Sequence, residues 1–286
     1  MPAETEMAAR QARRRRQLRL VGRYVLLSAL AVIVLFPIYI TVVNSLLRPD
    51  QIAARPPSLF PTDPQWGAYP DAWTDGHMGR YLLNSVIVTT AIMVGQVLLA
   101  ILAASAFAFL EFPGRRVLFV VFLATMMVPF EVVFFTNYQT IADLGLLNTY
   151  GGLVLPFLAT GFGAFLLRQA FLTVPTDLRD AAAMDGYGHW RFLWRVAVPL
   201  ARPTVAALSV FAFLSAWGQY LWPLVATNDE KARTVQVGLA QLRDTSLNDI
   251  NVTFAGVVLA SVPLIILLLV FQRQLVRGLT AGAVKG

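Results

Sequence analysis

Few residues in this 286-residue chain could do chemistry, and their positions narrow what that chemistry is. Glu131 is the one charged side chain inside a long apolar run, two residues after Pro129. An ionisable group in such a run is costly and by default marks function. A carboxylate there could steer a cationic choline or ethanolamine group and would repel a phosphate; equally, it could form a salt bridge to a partner or an outer loop. Polar Asn84, Gln96, Asn137 and Gln219 stand in or beside the apolar runs, as do Trp217, Tyr220 and Trp222. Aromatic rings suit sugars and quaternary ammonium groups, so these residues read as pathway lining. Trp217 and Trp222 read equally well as a belt at the membrane–water boundary. His77 and His189 fall on opposite sides of the apolar runs, so no histidine pair is available for acid–base work. Neither lysine, Lys231 or Lys285, follows a glycine-rich turn, so there is no nucleotide-binding loop. The absence of cysteine excludes a disulfide scaffold, a thiolate metal site and a cysteine nucleophile.

The densest pattern lies between Arg168 and Pro203, RQAFLTVPTDLRDAAAMDGYGHWRFLWRVAVPLARP. Thr176 reads as an N-cap and Asp177 as a first-turn acid. The alanines of LRDAAAMD favour helix, and Gly186 stands where a left-handed C-terminal residue is wanted. A second amphipathic segment, HWRFLWRVAVPL, is predicted to end at Pro199, with His189 on its surface. Two short helices meeting at a glycine make a compact knob. Its residues fit a juxtamembrane hairpin packed on lipid head groups as well as a docking element.

The elements that position these residues follow from composition. The chain is 57% hydrophobic and 14% charged, against about 45–50% and about 25% in average soluble domains. That excludes a disordered chain and argues against a soluble enzyme. Six runs approach the roughly 20 apolar residues that cross a bilayer as helix: 24–43, 85–110, 117–135, 150–167, 204–227 and 252–271. The first is longer than a signal-peptide core and lacks a small-residue cleavage site, so it reads as an uncleaved span. With residues 1–23 inside, the inner segments hold seventeen basic residues and the outer segments six. Net charge is then +11 inside, −3 outside and −1 in the bilayer, which places both termini in the cytoplasm. That partition excludes a nucleic-acid partner, and the N-terminal arginines are read as anchors on anionic lipid. Prolines 37, 129, 156, 223 and 263 interrupt five spans. Small residues in the second and fourth spans permit close helix packing. Outside, a short helix is expected near Trp66–Trp73, and an amphipathic one where Val235, Leu239 and Leu242 recur at helical spacing.

Asp180-Ala181-Ala182, Gly186, Val196 and Pro199 resemble the EAA motif of binding-protein-dependent ABC importer permeases: E-A-A, three residues, G, nine residues, I, one residue, L-P. Asp185, Phe192 and Pro203 fit the longer pattern. Asp180 replaces Glu, Val196 and Val198 replace Ile and Leu, and Tyr187 stands where a small residue is usual. Within that family the chain is similar to the second permease of carbohydrate-type importers, and more narrowly to permeases for glycerol-3-phosphate and glycerophosphodiesters. The segments that carry this are VPFEVVFF (128–135), residues 146–175, QYLWPL (219–224) and FQRQLVRGLTAG (271–282). Gly218 departs from an Asn common before the QYLWPL-like segment.

The resemblance implies an all-α membrane protein, a MetI-like bundle of six transmembrane helices in a bacterial inner membrane. A single permease domain (24–276) carries a coupling loop (172–203) and a cytoplasmic tail (277–286). It implies a second permease, two ATPase subunits that bind ATP and Mg, and an extracytoplasmic substrate-binding protein, with no cofactor or catalytic residue in this chain. Asp180 and Asp185 would contact or cap, Ala181 and Ala182 permit close approach, Gly186 set the bend and Phe192 pack, with Pro199 also among the ATPase-coupling residues. A di- or oligosaccharide permease is the alternative. A secondary transporter is a weaker one, since it needs several charges in the bilayer and often an inverted repeat.

Overall fold

A computed structural model describes residues 2–246 and 249–281, without the side chains of 2–16, 18 and 273–281. The N-terminal arginines up to Arg16 and residues 282–286 of the tail therefore lie wholly or partly outside the described residues. The chain is a helical bundle: α1 Pro2–Leu46, α2 Pro49–Ala53, α3 Ala68–Thr74, α4 Met78–Phe109, α5 Arg115–Ala124, α6 Phe130–Asp143, α7 Tyr150–Val154 and α8 Gly161–Leu172, then α9 Thr176–Met184, α10 His189–Phe192, α11 Val198–Leu200, α12 Arg202–Trp217, α13 Leu221–Ala226, α14 Val235–Thr245 and α15 Ile250–Ala281. The expected outer helices are α3 and α14.

Among the described residues, three helices are long and apolar enough to cross a membrane: Arg19–Leu46, Met78–Phe109 and Ile250–Gln272. Three bent pairs raise the number to six: Arg115–Met127 with Phe130–Asp143 at 94°, Tyr150–Phe157 with Gly161–Leu172 at 52°, and His189–Leu200 with Arg202–Trp217 at 80°. In two runs that proline was expected to interrupt, the structure shows where the break falls. The run 117–135 is not straight. A residue before proline is pushed out of the α region; Val128 is extended (φ −83°, ψ 111°), so the helix stops and restarts at Pro129. The run 204–227 is not one helix either, because α12 ends at Trp217 with Gly218 as its C-cap and α13 begins at Leu221. Pro37 and Pro263 lie inside unbroken helices, and Pro223 lies inside α13 beyond the break, so none of the three interrupts a helix.

α4 is the central post. Its buried residues Tyr81, Ser85, Val88 and Ile92, and again Ala100 and Ala104, recur at three- and four-residue steps, while Val86, Val94, Leu98 and Leu102 are exposed. The whole helix is apolar, so this division is between protein and bilayer rather than between core and water. Its knob-end half packs on α8 and α12 through small residues: a Cβ on Gly163 would lie 3.0 Å from the Ala100 Cβ. Its far half packs on α14, where Gly238 lies against the ring of Tyr81, itself 2% exposed.

Gly238→Ala places a methyl group on that buried ring. The expected cost is about 1–3 kcal/mol of overpacking, read as a lower thermal-unfolding midpoint of the solubilised protein. An unchanged midpoint would show that the α4–α14 seam is looser than described.

Candidate functional site

The knob is built by two local devices. Pro175, with φ −58°, occupies the cap position of α9, so Thr176 is the first helical residue and not the N-cap expected from the sequence; Asp177 lies in the first turn as expected. At the other end Gly186 adopts φ +74°. Its N–H donates to the Ala183 carbonyl at 3.0 Å, and the Tyr187 N–H donates to the Ala182 carbonyl at 2.8 Å. This pair of reversed bonds is the Schellman end, which satisfies the last carbonyls and turns the chain. A Cβ on Gly186 would meet nothing within 4 Å, so the requirement is on the backbone alone. The chain then runs through α10, a π turn at Leu193–Ala197, and α11. Pro199 lies inside this helical stretch and does not end it, contrary to expectation. Proline removes one backbone donor, and the wider π turn just before it absorbs the break. The end comes at Ala201 (φ −86°, ψ 8°), where the chain bends into α12.

The knob is fastened to the end of α4. The last carbonyls of a helix have no partner within it, and at this end three guanidinium groups supply one. Arg168 donates to the Phe107 carbonyl at 3.2 Å, Arg179 to Phe109 at 3.0 Å and Arg115 to Leu110 at 2.8 Å. Cations also suit the negative end of the helix dipole. Arg168 lies over the Phe119 ring at 4.3 Å. Beside these bonds Phe109 packs against Phe171 at 5.4 Å and edge-on against Phe192 at 5.3 Å. Ala182, Leu193 and Ala197 are buried in the same cluster.

The motif residues therefore divide. Asp180, Ala181, Asp185 and Gly186 are exposed, Ala182 and Phe192 face the bundle, and Pro199 is half-buried. Phe192 packs as expected, but on this chain's own Phe109. Arg168 and Arg179 were missed by sequence reasoning, which counted them only as inner-face charge.

The far-end candidates do not form one site. Asn84 is buried: its amide donates to the carbonyls of Lys231 (2.9 Å) and Arg233 (2.8 Å), and its oxygen accepts from the Tyr150 hydroxyl at 2.7 Å. It straps the loop before α14. Ser85, which accepts from the Val235 N–H at 2.7 Å, and Asn148, which accepts from the N–H groups of Asn228 and Asp229 at 2.6 and 2.8 Å, complete the strap. Asn148 escaped notice in the sequence; its left-handed φ of 60° is tolerated by asparagine. Trp222 is 2% exposed, donates to the Gly152 carbonyl at 3.1 Å and is ringed by Phe130, Phe134 and Phe157. Trp217 is also 2% exposed and stacks on Phe213 at 5.7 Å. Both tryptophans are packed inside the chain, so neither forms an interfacial belt. Asn137 and Gln219 are half-buried, and Tyr220 is exposed. Tyr220 lines a far-end cavity of about 380 Å³ with Asn228, Arg233 and Gln241. Glu131 is exposed in the first turn of α6, just past the right-angled bend, and takes part in no ion pair found among the described residues.

Residues 96–281 match the family described as binding-protein-dependent transport system inner membrane component. The chain belongs to that family. This permease is 39% identical over 272 residues to the sn-glycerol-3-phosphate transport system permease protein UgpE of Brucella abortus, covering 91% of this chain and 95% of that one. It is 39% identical to the UgpE of Agrobacterium fabrum (87% and 91% covered) and 36% identical to that of Yersinia pestis (90% and 94%). Its fold is that of a chain in a bacterial ABC transporter involved in import of the acidic polysaccharide alginate, with TM-score 0.78, 24% identity and 90% and 96% covered. A second match, TM-score 0.61 at 15% identity with 86% and 91% covered, comes from an alginate ABC transporter in complex with its pentasaccharide-bound periplasmic protein. The permease is thus an inner-membrane component of a binding-protein-dependent importer.

Arg179→Met keeps the stem and removes the guanidinium that reaches the Phe109 carbonyl. Substrate uptake by the reconstituted transport system is expected to fall several-fold with the amount of assembled complex unchanged. Normal uptake would show that this bond does not hold the knob in register.

Proposed function

We propose that the chain is one of two permease halves of an ATP-driven importer for glycerol-3-phosphate or glycerophosphodiesters, with its knob seated on an ATPase subunit in the cytoplasm. The observation that carries this is the knob: a glycine-capped acidic helix, exposed on one side and fastened to the end of a membrane-crossing helix on the other. Asp180, Ala181 and Asp185 face outward, where a partner's groove can take them. In this reading a second permease completes the pathway, two ATPases bind ATP and Mg, and an extracytoplasmic binding protein delivers substrate. The charge partition supports placing the knob end and both termini inside. The substrate class rests on the likeness to the three UgpE permeases.

ATP closes the ATPase pair, the groove moves α9, and α9 carries the ends of α4 and α8 because its contacts with them are buried. This chain binds and moves; the phosphoryl chemistry is its partners'. At the far end the loop held by Asn84, Ser85 and Asn148 keeps a fixed shape against which a binding protein can dock.

The direct test is ATP-dependent uptake by the reconstituted complex of labelled glycerol-3-phosphate, glycerophosphocholine and maltose. The first two are expected to accumulate and maltose is not; accumulation of maltose alone would transfer the chain to the sugar importers. A second expectation concerns Gly186→Val. A β-branched residue in a left-handed conformation costs roughly 1–2 kcal/mol, so the turn opens and α9 leaves its seat. ATP hydrolysis should persist while uptake falls at least tenfold. Normal uptake by an assembled Gly186→Val complex would remove the coupling role.

A further inference from the structure

The two helices of the knob have opposite chemistry. α9 presents Asp177, Asp180 and Asp185 to solvent. The stretch His189–Leu200 instead exposes Arg191 and Arg195, with Arg202 just beyond it. On that stretch Trp190 and Trp194, four residues apart, are 63% and 44% exposed. Residues at that spacing share one helix face. The opposite face, Phe192, Leu193 and Ala197, is buried against the bundle. Among the described residues these two indoles and Arg195 are left open, while Arg191 lies over the Tyr187 ring at 4.3 Å with its outer edge exposed.

Geometry says what lies beside them. The stretch meets α12 at 80°, and α12 enters the apolar bundle directly at Arg202. From Trp190 to the bend is about 17 Å of helix at 1.5 Å per residue. At 80° this advances only about 3 Å along the axis of α12, so with α12 running near the membrane normal both tryptophans stay close to the depth at which it leaves the membrane. Indoles collect at that depth, and a helix with a basic, aromatic face lies in the interface plane on anionic lipid. An acidic helix would be repelled from the same surface.

We propose that His189–Leu200 is a lipid-contacting helix: Trp190 and Trp194 sit at the head-group level of the cytoplasmic leaflet, and Arg191 and Arg195 bind its anionic phosphates. The knob is then held between two partners, a protein groove on α9 and the bilayer on the second helix. Anionic lipid sets the resting position from which ATP moves it. The proposal rests on the orientation given under Proposed function.

The test uses the absence of cysteine from this chain. Trp190→Cys, Trp194→Cys and, on α9, Met184→Cys each carry a bimane label in the whole importer, whose other subunits are cysteine-free. The vesicles contain 30% phosphatidylglycerol and lipid with a nitroxide near the head group. Quenching at 190 and 194 is expected to exceed that at 184 at least twofold. Equal quenching overturns the proposal, and so does quenching at 190 and 194 that appears only when the ATPase subunits are stripped, since a protein then covers this face. A second arm spares the tryptophans: the double variant Arg191→Gln, Arg195→Gln compares uptake in 30% phosphatidylglycerol with uptake in pure phosphatidylcholine. Each arginine is worth roughly fivefold in attraction to an anionic surface, so the lipid preference of the wild type should fall toward one; an unchanged preference overturns the lipid role. A membrane-impermeant quencher trapped on the extracytoplasmic side reports orientation separately. If it reaches the label at 184 the orientation is wrong, whatever the nitroxide lipid shows.

Discussion

The carbonyl groups at one end of α4 have no partners in their own helix, and they sit where an apolar bundle meets its surface. A carbonyl buried there without a partner costs about 1–3 kcal/mol. Arg115, Arg168 and Arg179 remove that cost from three different elements, α5, α8 and α9. The same bonds that finish α4 therefore decide where α5 starts, where α8 ends and where α9 lies. Phe109, Phe171 and Phe192 fill the space between them. A surface loop tied only by its covalent ends would swing freely; this one is bonded to and packed against the spans it caps.

The far end solves the same problem with neutral groups. The broken spans free backbone N–H and carbonyl groups around residues 228–235, and Asn84, Ser85 and Asn148 bind them. Trp222 does likewise for the Gly152 carbonyl. One end is thus clamped by charge and the other by amides and hydroxyls, which agrees with the uneven distribution of arginine along the chain. Between them the bundle is mostly small residues and aliphatics whose fit resists bending, so motion at the knob has a stiff path across the membrane.

Much of this was legible from residues alone. The six apolar runs, the left-handed Gly186, the amphipathic α14 and the acidic first turn of α9 all follow from local rules that membrane context does not change. What was not legible depends on who faces whom. In a run that is apolar throughout, lipid-facing and protein-facing positions look alike, so Trp217 and Trp222 could not be told from a boundary belt. Asn84 read as pathway lining because its three partners lie at sequence separations of 66 to 149. Pro199 read as a terminator because a π turn has no sequence signature. The arginines read as topology signals, and only the geometry shows that three of them, Arg115, Arg168 and Arg179, are also helix caps. Pro129 was recognised as a break, but its right angle was not, because that depends on what α6 packs against.

The central claim is that the knob and α4 move as one body. Its most direct measurement is the distance between spin labels at Met184 on α9 and Leu102 on α4, both exposed positions, in the assembled importer with and without trapped ATP. The account requires that this distance stay constant within the width of its distribution while the importer changes state. A shift of several ångströms between the two states would show that the knob slides over the end of α4 rather than carrying it.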